Sequence, residues 1–433
     1  MKRLLLALLV TTFMAADADE LLAQAGANYD ESKVPQYTLP DPLVLADGTK
    51  VADAETWHKK RRPEILELFS SQVFGRMPTQ KLESIRYEVL DDTPDALEGK
   101  AHRKQIAVYF AGKSDGPKME ILLYTPAKST KAVPCFLGLN FNGNHAVHAD
   151  SGIRLNQSWM RPNEKNGVVD NKATEQSRAT EASRWQVEKI LDAGYGLATI
   201  YYGDIDPDFD DGFQNGVQPL FYKAGQTKPE PDQWGSIGAW AWGLSRALDY
   251  LEGNETKLVD AKRVAVIGHS RLGKTSLWAG ATDPRFAIVI SNNSGEGGAA
   301  ITRRRFGESL KRINTSFPHW FCDNYLQYND KEDDLPVDAH MLVALSAPRP
   351  VYVASATEDQ WADPRGEFLA CVHATPVYKL LGKDGLPTAE LPAADQPVQG
   401  TVGYHLRTGK HDVTAYDWDQ YLKFADKHFN ASK

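Results

Sequence analysis

Ser270 sits in Gly268-His269-Ser270-Arg271-Leu272-Gly273-Lys274, between the apolar run Val264 to Ile267 and the stretch Thr275 to Ala281. A serine hydroxyl is a weak nucleophile until a neighbouring base removes its proton, and that base needs an acid to fix its tautomer. A strand that turns sharply into a helix with a serine at its apex forms a nucleophile elbow. The usual spacing is G-x-S-x-G, whereas here the second glycine comes one residue later. For the base, the sequence offers His411, within Gly409-Lys410-His411-Asp412 just before a closing helix, and His405 at a strand end. For the acid it offers Asp359 or Glu358 after the strand Pro350 to Ser355, and Glu296 after the preceding strand. Asp359 is preferred because Gln360, Trp361 and Asp363 make its loop look built for a site.

The surrounding elements must bring these distant residues together. Ile85 to Val89, Lys104 to Phe110 and Met119 to Tyr124 alternate apolar and polar residues, as half-buried antiparallel strands do. Ala132 to Leu139, Gly194 to Tyr202, the run before Ser270, Phe286 to Ser291 and Pro350 to Ser355 are near-continuous apolar strands separated by helical stretches. That alternation predicts an α/β fold with a mostly parallel central sheet. With the order serine, acid, histidine, it predicts an α/β-hydrolase three-layer sandwich with antiparallel N-terminal strands. In that fold the loop after the third strand supplies an oxyanion N–H, the place taken here by Asn140 to His145 with Gly143. The irregular stretch Asp150 to Trp185 reads as an insertion forming a rim over the site.

Composition bounds the function. The net charge of −8 over 433 residues leaves no basic stripe for nucleic acid. Arg303-Arg304-Arg305 reads as a solvated or carboxylate-paired surface patch. Met1-Lys2-Arg3 followed by apolar Leu4 to Ala16 reads as a secretory signal with cleavage near residue 18 or 25. Residues 26–433 then form one catalytic domain with an N-terminal arm, secreted or periplasmic, free of the membrane and monomeric. The three cysteines, Cys135, Cys322 and Cys371, fit neither a disulfide framework nor a zinc site and read as buried thiols. His145 and His148 lack a carboxylate to complete a metal site, and Asp204, Asp206 and Asp208 lack EF-hand spacing and read as a solvated loop. No metal or cofactor is expected.

Gly268-His269-Ser270-Arg271-Leu272-Gly273-Lys274 resembles the G-C-S-R-x-G-K signature of glucuronoyl esterases, carbohydrate esterase family 15, in which the late glycine is regular. The resemblance extends through Asn140 to His145, Ser294 to Gly298, Glu358 to Arg365 and Gly409 to Asp412, covering about residues 55–430. It looks most like the bacterial branch. It implies a serine esterase that cleaves esters of 4-O-methyl-glucuronic acid, as in lignin–xylan cross-links, through an acyl-enzyme. By position, Ser270 matches the nucleophile, His411 the base and Arg271 the oxyanion residue, while Lys274, Glu308 and Trp361 match sugar-contacting positions. Two departures stand out: His269 replaces a cysteine, and Asn293 occupies the place where many members carry a catalytic glutamate. The second shifts the acid's role to Asp359. An acetyl or feruloyl esterase on plant polysaccharide and a non-catalytic carbohydrate-binding relative are the competing expectations.

Overall fold

Along Val264-Ala265-Val266-Ile267, successive side chains enter opposite cores: Val264 and Val266 join one, Ala265 and Ile267 the other. A strand covered on both faces must be apolar at every position, which is why this run shows no polar alternation. The computed structural model describes residues 26–430. The expected signal segment, residues 1–25, lies outside the described residues.

The strands are β1 (Arg86–Asp95), β2 (Ala101–Tyr109), β3 (Lys118–Pro126), β4 (Val133–Asn140), β5 (Val168–Val169), β6 (Lys172–Ala173), β7 (Gly196–Tyr201), β8 (Val259–His269), β9 (Ile288–Asn292), β10 (Val351–Ala356), β11 (Val398–Gln399) and β12 (Val402–Arg407). Strands β5 and β6 form a separate small hairpin. The others make one sheet in the order β1-β2-β3-β7-β4-β8-β9-β10-β12-β11. Pairing is antiparallel from β1 to β7 and again between β11 and β12, and parallel between. This is the expected mixed sheet of an α/β-hydrolase, with its polar-alternating strands at the antiparallel edge.

Helices cover both faces. Arg62–Gln72, Ser236–Asn254, Arg271–Thr282 and Pro364–Leu380 pack on one core, and Ala415–Phe429 on the other through Trp418, Tyr421 and Phe424. The final helix starts on a capping box, with Thr414 and Asp417 satisfying each other's backbone N–H groups. All three cysteines are buried and unpaired.

Three readings of polar sequence are corrected by burial. Arg303 and Arg304 are buried rather than on a surface patch; Arg303 pairs with Asp338, and Arg304 with Asp363 and Glu31. Asp206 and Asp208 are buried, so the acidic loop after β7 is not solvated. The stretch Asp150 to Trp185 contributes none of the residues lining the catalytic cavity; its Arg161 instead supports the loop after β7 by donating to Asp208 O at 3.0 Å. Charge alone misplaced all three, because opposite charges and hydrogen-bond partners distant in sequence make their burial affordable.

Candidate active site

Strain concentrates where β8 meets its helix. Ser270 sits at φ 58° and ψ −129°, a conformation that costs a non-glycine residue roughly 1–3 kcal/mol and holds the side chain out from the turn. Gly268 is required beside it, since a Cβ there would come within 1.8 Å of Leu272 O. The late glycine also has a reason. Leu272 takes the usual second-glycine position and packs in the core, while the close approach falls at Gly273. A Cβ at Gly273 would lie 3.0 Å from Ser294 Cβ and 3.1 Å from Asn292 O.

Ser270 opens into a cavity of about 640 Å³ that also receives Arg271, Lys274, Glu308, Asp359, Trp361 and His411. The structure thus gathers all seven residues singled out in the sequence. His411 Nδ1 lies 2.7 Å from Asp359 Oδ2, and Asn293 Nδ2 donates to the same oxygen at 2.7 Å. With its Nδ1–H directed at Asp359, the imidazole keeps Nε2 free to accept a proton. Ser270 Oγ makes no hydrogen bond with His411 among the described residues. In unliganded enzymes this contact often tightens only when substrate arrives.

The loops carrying Asp359 and His411 are tied to each other. Glu358 N donates to Gly409 O at 2.9 Å, Thr357 N to Arg407 O at 2.9 Å, and Gly409 N to Thr357 Oγ1 at 3.1 Å. From behind, Arg407 Nη2 donates to Lys410 O at 2.7 Å and to Asp412 O at 3.1 Å. Glu358 itself is exposed at the edge of the cavity and makes no hydrogen bond with His411 among the described residues. His405 is fully buried between Asp417 (2.8 Å) and the Tyr352 hydroxyl (3.0 Å), away from the cavity.

His269, the residue replacing cysteine, packs its ring 4.4 Å from that of His411 and pairs its Nδ1 with Asn292 Oδ1 at 2.6 Å. Burial, reinforced by the neighbouring His411, holds its pKa well below the usual imidazole value, so it is a neutral wall behind the base.

Arg271 is aimed by a residue that sequence reasoning missed. The carboxylate of Asp208 pairs with Arg271 Nη1 and accepts from His319 Nε2 (2.9 Å), Trp320 Nε1 (2.7 Å) and the Tyr202 hydroxyl (2.9 Å). Burial opposes its charge, but Arg271 and these donors outweigh burial and lower its pKa. The Arg271 guanidinium lies 4.7 Å above the Trp320 ring. The available signal was position: Asp208 follows the carboxyl end of a parallel strand, where open α/β sheets place ligand sites.

Lys274 is buried and donates to Ser294 O at 2.5 Å. Burial lowers its pKa, opposed by Glu308 and Glu296. Burial likewise raises the pKa of Glu308, opposed by Lys274 and Arg271. Glu367, unremarked in the sequence, braces the adjoining turn: its Oε1 accepts from Ser294 N and Gly295 N at 2.7 and 3.0 Å. The loop after β4 does not line the cavity, so Gly143 is not where the sequence placed it; Phe141 packs its ring behind Arg271 and His269 instead.

Glu296, the competing acid, makes no hydrogen bond with His411 among the described residues. Its Oε1 accepts from Thr302 Oγ1 at 2.8 Å and from the Tyr325 hydroxyl at 3.0 Å. Burial pushes its carboxyl up to about 8 from an ordinary 4.5. The folded value lies above the unfolded one, so this group's contribution to stability is complete below pH 4.5 and is lost as pH rises through 8. Glu296→Gln removes that titration. The variant is expected to gain stability on its parent between pH 5 and 8, by up to about 1.4 kcal/mol per pH unit. Urea unfolding across that range measures it, and a pH-independent difference would contradict the assignment.

No group of three or more metal-binding side chains occurs among the described residues. His145 bonds Ser177 Oγ at 2.7 Å, and His148 lies 3.7 Å from Glu188.

Residues 186–382 match the family model described as glucuronyl esterase of fungi. A carbohydrate esterase from an unknown prokaryotic organism is 56% identical over 425 residues, covering 98% of this chain and 97% of the relative. A glucuronoyl esterase from Solibacter usitatus superposes with TM-score 0.87 at 54% identity, over 92% of this chain and all of the other. A structure described as a promiscuous CE15 esterase from a marine bacterial metagenome superposes with TM-score 0.86 at 57% identity, over 93% of this chain and all of the other. With an α/β-hydrolase sheet and these relatives over nearly its whole length, the chain belongs to the glucuronoyl esterases of carbohydrate esterase family 15 and is a carboxylic ester hydrolase.

Proposed function

We propose that Ser270, His411 and Asp359 form the triad of a secreted esterase for 4-O-methyl-glucuronic acid esters, including those joining xylan to lignin alcohols. Ser270 Oγ attacks the ester carbonyl while His411 Nε2 takes its proton. Asp359 stabilises the resulting imidazolium, and His411 returns the proton to the departing alcohol. Water, activated by the same imidazole, then cleaves the acyl-enzyme. Arg271 supports the oxyanion together with its own backbone N–H, the group this fold provides after the nucleophile. Lys274 and Glu308 hydrogen-bond the sugar, and Trp361 stacks on its ring. Residues 26–433 act as one domain, exported by the preceding signal and working as a monomer without metal or cofactor.

One observation carries this reading: two cations, Arg271 and Lys274, line the same cavity as the nucleophile. Hydrogen bonds to charged groups are worth roughly 1.5–3 kcal/mol. A uronic ester offers such groups hydroxyls and yields a carboxylate, whereas a simple acetyl ester offers their remaining donors no hydroxyl. The expected result is about tenfold to a hundredfold higher kcat/KM on methyl glucuronate than on acetyl or feruloyl esters. Initial rates on that panel measure it, and faster acetyl ester turnover would reverse the assignment. The relative described as promiscuous favours a second reading, a broader esterase acting also on acetyl or feruloyl groups. Equal rates across the panel would select it.

A further inference from the structure

Asp412, the residue directly after His411, is held from a distant part of the chain. Its Oδ1 accepts from Arg184 Nε at 2.6 Å, across 228 residues of sequence. Arg184 lies on a short helix, Ala182–Trp185, at the end of the insertion that stays out of the catalytic cavity. Its main chain is fixed independently of that pair. Arg184 O accepts from Trp418 Nε1 at 2.7 Å. Just before it, Ala179 N donates to His145 O at 3.0 Å and Glu181 N to Ala146 O at 2.8 Å. The guanidinium therefore reaches the His411 loop from a frame anchored to the segment after β4 and to the final helix.

Glu181 holds the other side of the guanidinium. Its side chain is buried, and neither carboxylate oxygen has a hydrogen-bond partner among the described residues; Arg184 Nη1 lies 3.5 Å from one of them. Burial raises the Glu181 pKa, opposed by Arg184. One planar fork thus spans two carboxylates, one buried in the insertion and one beside His411. The Arg184–Asp412 pair is half-exposed, and such pairs contribute little to global stability. What it supplies is position. Arg407 fixes the carbonyls of Lys410 and Asp412 but does not reach the Asp412 side chain. Behind the loop lies a space of about 30 Å³, walled by Phe141, Arg184, Trp185, His269, Val413 and Trp418. A loop that borders a gap of this size is not fixed by close packing on that side, and a polar tie must do it.

We propose that Arg184 is a positioning residue for the reaction: through Asp412 it holds the His411 loop where Nδ1 meets Asp359, without itself touching substrate. The inference rests on the reading of His411 as the base, and it gives the insertion a part in catalysis that its distance from the cavity conceals.

Initial rates on methyl glucuronate test it. Arg184→Gln is expected to lower kcat about tenfold to a hundredfold with KM at the parent value, since displacing a reacting group by about 1 Å costs about that much. Glu181→Gln combined with Arg184→Gln carries the same expectation without leaving a buried carboxylate unpaired, should the single variant fold poorly. Asp412→Ala breaks the pair from the other side. It should give a similar loss, and adding Arg184→Gln to it should lower kcat no further, because both remove one contact. Glu175→Gln, an exposed change in the same insertion, should leave kcat unchanged. The downfield proton NMR signal of His411 Nδ1–H, identified by its loss in Asp359→Asn, should weaken in every variant that loses rate. Parent-like kcat in Arg184→Gln and Asp412→Ala, additive losses, or losses with that signal intact would overturn the positioning role. Full activity in His411→Ala would remove the base and this role with it, whereas an inactive His411→Ala beside a parent-like Arg184→Gln would remove the role alone.

Discussion

Replacing Ser270 with alanine is expected to lower kcat on methyl glucuronate by about a millionfold, the loss seen when a hydrolase triad loses its nucleophile. That corresponds to about 8 kcal/mol of barrier. The other serines lining the cavity, Ser294 and Ser316, stand outside the strand-to-helix elbow, and Ser294 Oγ donates to Glu367 Oε1 at 3.1 Å. Lys274 reaches the cavity as a hydrogen-bond donor, to Ser294 O, and the thiols of Cys135, Cys322 and Cys371 are buried, which pushes their pKa values up. Alanine also relieves no fold-bearing contact, because the turn is held by backbone: Ser270 N donates to Asn292 O at 2.9 Å and Gly273 N to Ser270 O at 2.8 Å. Thermal unfolding should therefore show a folded protein while initial-rate assays show no enzyme. Retained activity in the alanine variant would mean that the elbow is not the nucleophile.

The second large effect falls on Asp359. Asp359→Asn is expected to cost about 10³- to 10⁴-fold in kcat, since the carboxylate both fixes the His411 tautomer and stabilises the imidazolium. One feature of this protein sets it apart from a simple triad: a single oxygen, Asp359 Oδ2, receives both His411 Nδ1 and Asn293 Nδ2. An asparagine at 359 can still offer one oxygen to both donors, so orientation survives and the lost charge dominates. Glu296→Gln should change kcat by less than about threefold, because its carboxyl meets Thr302 and Tyr325 rather than the base. Single-turnover rates for the two variants give the ranking. A larger loss at Glu296 would move the acid.

Asn293 fits the proposed triad, whose acid lies on this loop. Where the resemblance puts a glutamate, a neutral amide donates to Asp359 instead of adding a second carboxylate. Two carboxylates there would repel and raise each other's pKa. Departures from a family pattern that look like losses when taken singly form a consistent pair once their side chains meet. His269 behaves similarly, filling the space behind His411 with a ring that burial keeps neutral.

The local sequence carried the elbow that presents Ser270. Glycine spacing, the apolar run before it and the helix after it are all encoded within about twenty residues, and strain at Ser270 is a property of that turn alone. The mixed sheet was equally legible, since alternation against continuous apolarity follows from whether a strand has one covered face or two. The late histidine was readable because it precedes a capped helix. Among the three candidate acids, by contrast, types and spacing gave only a preference for Asp359, because the hydrogen bond that distinguishes it spans 52 residues and depends on loops tied together after folding. Asp208 was misread as solvated for the same reason: the arginine it holds is 63 residues away, and two further donors, His319 and Trp320, come from a third segment. The sequence by itself determined the elbow and the layers, whose physics is local. Which carboxylate meets His411, and which pairs with Arg271, was decided only when the strands' carboxyl ends came together, because burial and pairing of charge are properties of the assembled loops.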